Sequence, residues 1–293
     1  MRFPDFYASR PRPVISFEIF PPKTDKAMEQ LDRVVPRLVA LRPDFMTVTY
    51  GALGTTQERT LGIATRLRND FKIETASHLT CVGASADKID AILEQLRAAN
   101  IENIVALRGD PPEGQDEFVA ADSSFSHAND LVTHIRQHQH KFGVAVAGYP
   151  EKHIEAPDLD TDLRHLKGKV DAGADVVVTQ LFYDNEGFYR FVDRAREIGI
   201  EVPLVAGLLP IQSFTQIKRI TALCGSKIPA KLDKALSDVA DDADAVKDVG
   251  VRWAIDQLND LLDRGVDGIH FYVLNRSRHM ERIFEAVPAL GDR

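Results

Sequence analysis

Residues 169–180, KVDAGADVVVTQ, carry the pattern that decides the fold. An amphipathic segment ends at Gly173, an acidic residue follows at Asp175, and an unbroken apolar run starts at Val176. Glycine takes up the left-handed conformation that closes a helix, and a short run of β-branched residues just beyond it reads as a strand buried on both faces. The same phrase returns at 97–107, RAANIENIVAL, and at 262–272, LDRGVDGIHFY, with Asn100 and Gly265 in the cap position. A repeated helix-to-strand joint of this kind is the signature of parallel βα units.

Working outward, eight such apolar runs occur, at 14–20, 45–50, 74–81, 103–109, 143–149, 176–183, 203–209 and 268–275. The intervening stretches 26–40, 56–69, 86–100, 127–142, 160–172, 185–200, 213–223 and 243–264 have helical spacing of apolar residues. Most strands recur about every 30 residues, one βα unit apart. Eight units predict an α/β fold, a closed (β/α)8 TIM barrel forming a single domain over 1–293, with 1–13 an N-terminal extension and 285–293 a C-terminal tail. A doubly wound open sheet competes, but GALG at 51–54 lacks the GxGxxG spacing that such a sheet places after a strand.

The 293 residues are 44% hydrophobic and 27% charged, an ordinary globular balance, with a net charge of −8. Lys and Arg are scattered without a basic stripe, which argues against nucleic acid as a partner. Cys81 and Cys224 stand alone, excluding a disulfide scaffold or thiolate metal centre and suiting a reducing compartment, so a cytoplasmic location is expected. No apolar run approaches the roughly 20 residues of a membrane span, and MRFPDFYASRPRP lacks the apolar core of a signal peptide.

In a barrel the chemistry gathers at the C-terminal strand ends. Those ends carry Glu18, Thr49, Tyr50, His78, Thr80, Arg108, Asp110, Tyr149, His153, Gln180, Asn275 and Arg276. Glu18 interrupts the apolar run VISFEIF; a carboxylate there must be paired or have a raised pKa, and a raised pKa would make it a general acid. Asp110 follows Arg108 and Gly109 and is held by Pro111 and Pro112, as an ordinary turn aspartate or a functional one. Gln180 is either a satisfied core amide or a ligand contact. His134, His138 and His140 read as a solvated helix face without nearby acidic ligands, and the acidic stretch 238–248 reads as a helix start; no metal site is expected.

SFEIFPPK at 16–23 resembles the opening strand of the methylenetetrahydrofolate reductases. The resemblance continues in order through VTYGA (48–52), HLTC (78–81), ALRGDPP (106–112), GYPEKH (148–153), KVDAGAD…TQLFYD (169–184), AGLLP (206–210) and HFYVLNR (270–276). It implies an FAD-binding barrel that uses NADH or NADPH to reduce 5,10-methylenetetrahydrofolate to 5-methyltetrahydrofolate by ping-pong hydride transfer through flavin N5. It makes Glu18 the general acid for ring opening and Asp110 a catalytic residue that contacts the pterin and lowers the flavin potential. Gln180, Gln216 and Arg276 become substrate contacts. Thr49, His78, Arg108, Gly109, Asp110, Ala128, Tyr149, His153, Asp162, His165 and Lys169 fall on cofactor-contacting positions.

The chain departs from the family pattern at His165 and Gly168, where Asn and Arg are frequent, at His127 for Tyr, and at Ile220 for Phe. The implied partners are a folate and a nicotinamide, in a homo-oligomer with no nucleic acid or membrane. Direct hydride transfer without flavin, or a non-redox pterin-binding barrel, are the alternatives. No long regulatory extension is recognised, so feedback control through a second domain is not expected.

Overall fold

The computed structural model describes residues 1–8, 12–50, 55–109 and 125–291. Its strands are β1 (Val14–Ile19), β2 (Phe45–Val48), β3 (Glu74–Thr80), β4 (Asn103–Leu107), β5 (Gly143–Gly148), β6 (Val176–Thr179), β7 (Leu204–Leu208) and β8 (Gly268–Tyr272). Each pairs in parallel with its sequence neighbours, and β8 returns to β1 to close the barrel, as expected. The helices are α1 (Phe3–Tyr7), α2 (Asp25–Ala40), α3 (Thr55–Asn69), α4 (Ala86–Ala98), α5 (Ala128–Gln137), α6 (Leu159–Asp171), α7 (Asn185–Glu197), α8 (Phe214–Cys224), α9 (Ala230–Ser237), α10 (Ala243–Asp263) and α11 (Arg278–Ala286). Asn100, Gly173 and Gly265 take φ of 59°, 117° and 70°, the left-handed values their places after helices require.

Alternation along the strands separates two cores. Phe17, Ile19, Ile104, Val146 and Phe271 face outward and join the apolar stripes of the helices. Val14, Phe45, Ala76, Val105, Ala145 and Val205 form a second cluster within the barrel. Phe3 and Phe6 of α1 belong to this inner cluster, with ring centroids 5.2 and 5.3 Å from Phe45. Buried Asn103 fixes the segment, accepting from Phe3 N–H at 2.7 Å and donating to Met1 O at 2.8 Å. The residues read as an N-terminal extension therefore supply the barrel floor.

The sixth strand ends four residues before its apolar run does. Its ladder stops where Gln180 N–H reaches Gly148 O, and Leu181 and Tyr183 then join Leu209, Leu232 and Leu236 in a cluster under α8 to α10. Burial without pairing extended the sequence pattern. Helices α9 and α11 had no place in the pattern, and Leu290, within the expected tail, is 1% exposed.

Asp242 caps α10 through the N–H groups of Asp244 and Ala245, as the acidic stretch implied. His134, His138 and His140 do have acidic neighbours, contrary to expectation: Asp90 at 2.7 Å, Glu94 at 3.2 Å and Glu102 at 3.6 Å. Each imidazole takes a separate carboxylate, and among the described residues no group of three or more potential ligands could hold a metal. No helix among them is long and apolar enough to cross a membrane. Cys81 and Cys224 are free thiols.

Candidate active site

Above the apolar floor the inward positions turn polar. A cavity of about 560 Å3 opens at the C-terminal strand ends, with Glu18, Thr49, His78, Tyr149, Gln180 and Tyr272 on its walls. Leu209, Ile220 and Leu223 form an apolar side suited to a flat ring.

At its base Glu18 Oε2 lies 3.1 Å from His78 Nε2, 3.4 Å from His270 Nε2 and 3.4 Å from Thr47 Oγ1. Ser16 Oγ lies 2.8 Å from His270 Nδ1. One proton arrangement satisfies this chain: Ser16 O–H donates to Nδ1, and Nε2–H of His270 donates to the carboxylate. The register makes the cluster, since Ser16 pairs with His270 and Glu18 with Thr47 and Tyr272 across neighbouring strands.

The expectation of a raised Glu18 pKa is corrected here. Burial pushes the carboxyl up, but the charge on His78 and hydrogen bonds from His270 and His78 outweigh it, leaving the pKa well below the usual 4.5. Of the two states open to a carboxylate inside this strand, the structure holds the paired one.

A second cavity of about 480 Å3 adjoins the first, sharing Arg108, Tyr149, His153 and Glu155 and running between α5 and α6 to Ala128, Asp162, His165 and Lys169. Lys169 extends from a half-buried stem to place its ammonium 2.5 Å from Ala147 O. Burial, opposed only by the charge of Asp162, pulls its pKa down to about 8. That cation is under-compensated, and a phosphate beside it would restore its charge. Burial raises the Asp162 pKa, and Asp162 accepts from His153 N–H at 3.1 Å. Arg108 is held by both oxygens of Glu155 at 2.6 and 2.7 Å. The donor set thus fits a ligand with a ring system at the barrel mouth and a diphosphate toward α6.

The structure therefore brings Glu18, Thr49, His78, Arg108, Ala128, Tyr149, His153, Asp162, His165, Lys169 and Gln180 to one continuous site. Gln180 Oε1 accepts from Leu181 N–H at 2.9 Å, leaving its amide NH2 with no partner among the described residues. Gly109, with φ of +91°, follows directly on Arg108, and a Cβ there would sit 2.5 Å from Val82 Cγ1. Asp110 lies outside the described residues. Gln216 is exposed on α8 and lines neither cavity; Arg276 lines a separate neighbouring one. Ser16, Thr47, His270, Tyr272 and Glu155 were missed from sequence. For His270 the signal was present: it is a polar residue in GIHFY, two before the strand-end tyrosine and so on the same face.

The methylenetetrahydrofolate reductase family model matches residues 6–288. Methylenetetrahydrofolate reductase (NADH) 1 of Arabidopsis thaliana is 46% identical over 270 residues, covering 89% of this chain and 46% of that protein. The chain spans about half the length of the plant relatives it matches. The 5,10-methylenetetrahydrofolate reductase of Escherichia coli is 39% identical over 263 residues, 90% of this chain and 86% of that protein. Among solved structures, an uncharacterised protein from Clostridium thermocellum that binds two copies of 5-methyl-5,6,7,8-tetrahydrofolic acid superposes with a TM-score of 0.64 at 16% identity. The match covers 98% of this chain and 97% of that one, a likeness of fold.

Proposed function

This chain belongs to the methylenetetrahydrofolate reductase family, and on that premise we propose that it reduces 5,10-methylenetetrahydrofolate to 5-methyltetrahydrofolate with electrons from a nicotinamide. The observation that carries the reading is the Glu18 cluster at the base of a ring-sized cavity that continues into a cation-lined one. FAD bound there would supply two-electron transfer between nicotinamide and folate. The donor named for the plant relatives is NADH.

Reduction requires the five-membered ring of the folate to open, and its departing nitrogen needs a proton. Glu18 lies among the inward residues to relay it, the ionised carboxylate taking a proton from His78 or His270, both within 3.4 Å of Oε2, as it passes that proton to the nitrogen. The acid is thus the cluster rather than an isolated carboxylic acid. The free amide NH2 of Gln180 orients the pterin, and Ile220 and Leu223 cover its flat face. Arg108 and Lys169 would hold the diphosphate of such a cofactor, with Tyr149 and His153, whose rings meet edge to face at 4.7 Å, between the two cavities. Two free thiols suit a cytoplasmic setting.

Purified protein is expected to be yellow, to bleach anaerobically with NADH and to recover its absorption on adding methylenetetrahydrofolate. Colourless protein that still couples NADH oxidation to folate reduction would point to direct hydride transfer. Protein that binds folate and oxidises no nicotinamide would overturn the reductase reading.

A further inference from the structure

The register between β6 and β7 runs through Val177 and Val178, and beyond it the backbone carbonyls of the sixth strand's continuation must find donors elsewhere. Side chains supply them. Thr179 O accepts from Tyr272 Oη at 2.7 Å, Leu181 O from Ser226 Oγ at 2.7 Å, Phe182 O from Gln257 Nε2 at 3.3 Å and Tyr183 O from Trp253 Nε1 at 3.2 Å. These donors come from β8, from the turn after α8 and from α10, none of which pairs with β6 in the barrel.

The segment strung in this way carries Gln180 on the wall of the cavity above Glu18. Leu181 N–H donates to Gln180 Oε1 at 2.9 Å, and a donor at that place fixes which end of the amide is oxygen. The NH2 is left to the cavity. Leu181 is therefore held at both of its backbone groups, its N–H by the Gln180 amide and its carbonyl by Ser226, while its side chain, 4% exposed, packs with Leu209 and Leu232. A shift of Leu181 that frees its carbonyl also withdraws the N–H that aims the amide.

Ser226 is itself fixed. It follows Gly225, whose φ of 74° ends α8, and the next residue, Lys227, donates its N–H to Glu151 Oε2 at 2.8 Å. Glu151 stands in the loop after β5, between Tyr149 and His153. Cys224 Sγ lies 3.3 Å from Ser226 Oγ; with the hydroxyl hydrogen committed to Leu181 O, the thiol is the donor in that contact. The turn 224–227 thus ties the end of β5 to the continuation of β6, the two places from which Tyr149 and Gln180 reach the cavity.

We propose that Ser226 is a positioning residue for Gln180: acting through Leu181, its hydroxyl holds the Gln180 amide with the NH2 directed at an acceptor atom of the bound ring. The identity of that ring rests on the folate reading; the relay from Ser226 through Leu181 to Gln180 does not.

The test uses the full chain and two readouts, one of which needs no ligand. In hydrogen exchange of 15N-leucine-labelled protein, Ser226→Ala should speed exchange of the Leu181 amide about three- to tenfold, the worth of one neutral hydrogen bond. Ser226→Thr keeps the hydroxyl and should return the rate to within about twofold of wild type. The amide of Leu79, in β3, should keep its rate in both variants. In calorimetric titration with 5-methyltetrahydrofolate, Ser226→Ala should weaken binding about three- to tenfold, and by less than about 1.5-fold where Gln180 is already alanine. An unchanged Leu181 rate would overturn the proposal, and so would faster exchange at Leu79 as well, which marks general loosening. Equal losses of affinity in the two backgrounds would also overturn it, because Ser226 would then not act through Gln180. If Leu181 responds as expected and the wild-type chain binds no folate, the relay stands and the reductase reading fails alone.

Discussion

His78 Nε2 and Glu18 Oε2 lie 3.1 Å apart, joining β3 to β1 across β2 at the base of the cavity. The pair keeps the carboxylate ionised despite its 17% exposure. Glu18→Gln preserves shape and removes the carboxylate that relays the proton. Folate reduction should fall by about 10²- to 10⁴-fold, the usual range for loss of a general acid. Anaerobic reduction by NADH should stay within about threefold, because that half-reaction needs no acid at this position. Equal loss of both half-reactions in stopped-flow traces would remove Glu18 from the acid role.

The same pair gives a pH dependence of stability. A folded-state pKa below the unfolded value of 4.5 means that the unfolded chain binds more protons, so the contribution of Glu18 is present above about pH 4.5 and is lost as pH falls through the folded value. Urea midpoints of wild type and Glu18→Gln should therefore converge as pH is lowered from 6 toward 3.5. A gap that stays constant over this range would show that the carboxylate is not held ionised in the fold.

Lys169 has the opposite effect on the free protein. Its pKa of about 8, below the ordinary 10.5, means that the fold disfavours the charged form, a cost of ~3 kcal/mol at neutral pH. Below pH 8 the cost is complete, and between 8 and 10.5 it disappears, so stability rises with pH across that window. Lys169→Met should stabilise the flavin-free protein by about 1–3 kcal/mol at pH 7, less whatever the lost hydrogen bond to Ala147 O contributes, and weaken FAD binding by more than about tenfold. Urea melts and flavin-fluorescence titrations measure the two effects separately. A variant that is destabilised at pH 7 and still binds flavin normally would refute the assignment of Lys169 as a cofactor cation.

Much of this could be read from the sequence, and the failures share a cause. The eight strands announced themselves because parallel barrel strands are apolar on both faces, and the cap residues because Asn100, Gly173 and Gly265 are among the few that adopt positive φ at low cost. Glu18 stood out as a charge inside such a run. The direction of its pKa did not, because it depends on two imidazoles brought in by β3 and β8, and no local pattern reports which strands become neighbours. Helix α1 was missed because five residues are too few to show a period, although Phe3 and Phe6 are among the most buried in the chain. Glu155 carries no local signal; only the fold places it on Arg108.

That Glu155–Arg108 pair competes with any phosphate for the guanidinium. Glu155 is 54% exposed, so the pair contributes little to folding, at most about 1 kcal/mol. Glu155→Gln retains the side chain's size and removes this carboxylate's charge from Arg108. FAD affinity should rise about three- to tenfold, with a change of thermal midpoint no larger than a few degrees. Weakened flavin binding in this variant would mean that Glu155 orients Arg108 for the ligand instead of occupying its place.

Gly207 tests the packing that keeps the site's walls together. Its N–H donates to Thr179 Oγ1 at 2.9 Å, and a Cβ at this position would sit 2.1 Å from Thr179 O and 3.0 Å from the Tyr272 ring. Tyr272 in turn donates its hydroxyl to that same Thr179 carbonyl at 2.7 Å, so backbone and ring converge on one oxygen with no room for a methyl. Gly207→Ala must push β6 from β7 or expel the Tyr272 ring, at a cost of about 1–3 kcal/mol or more. Since Tyr272 lines the cavity beside Glu18, a displaced ring should lower folate turnover beyond what the loss of folded protein explains. Urea denaturation gives the first quantity and kcat per folded enzyme gives the second. A variant with wild-type stability would show that β6 and β7 do not approach as closely as described.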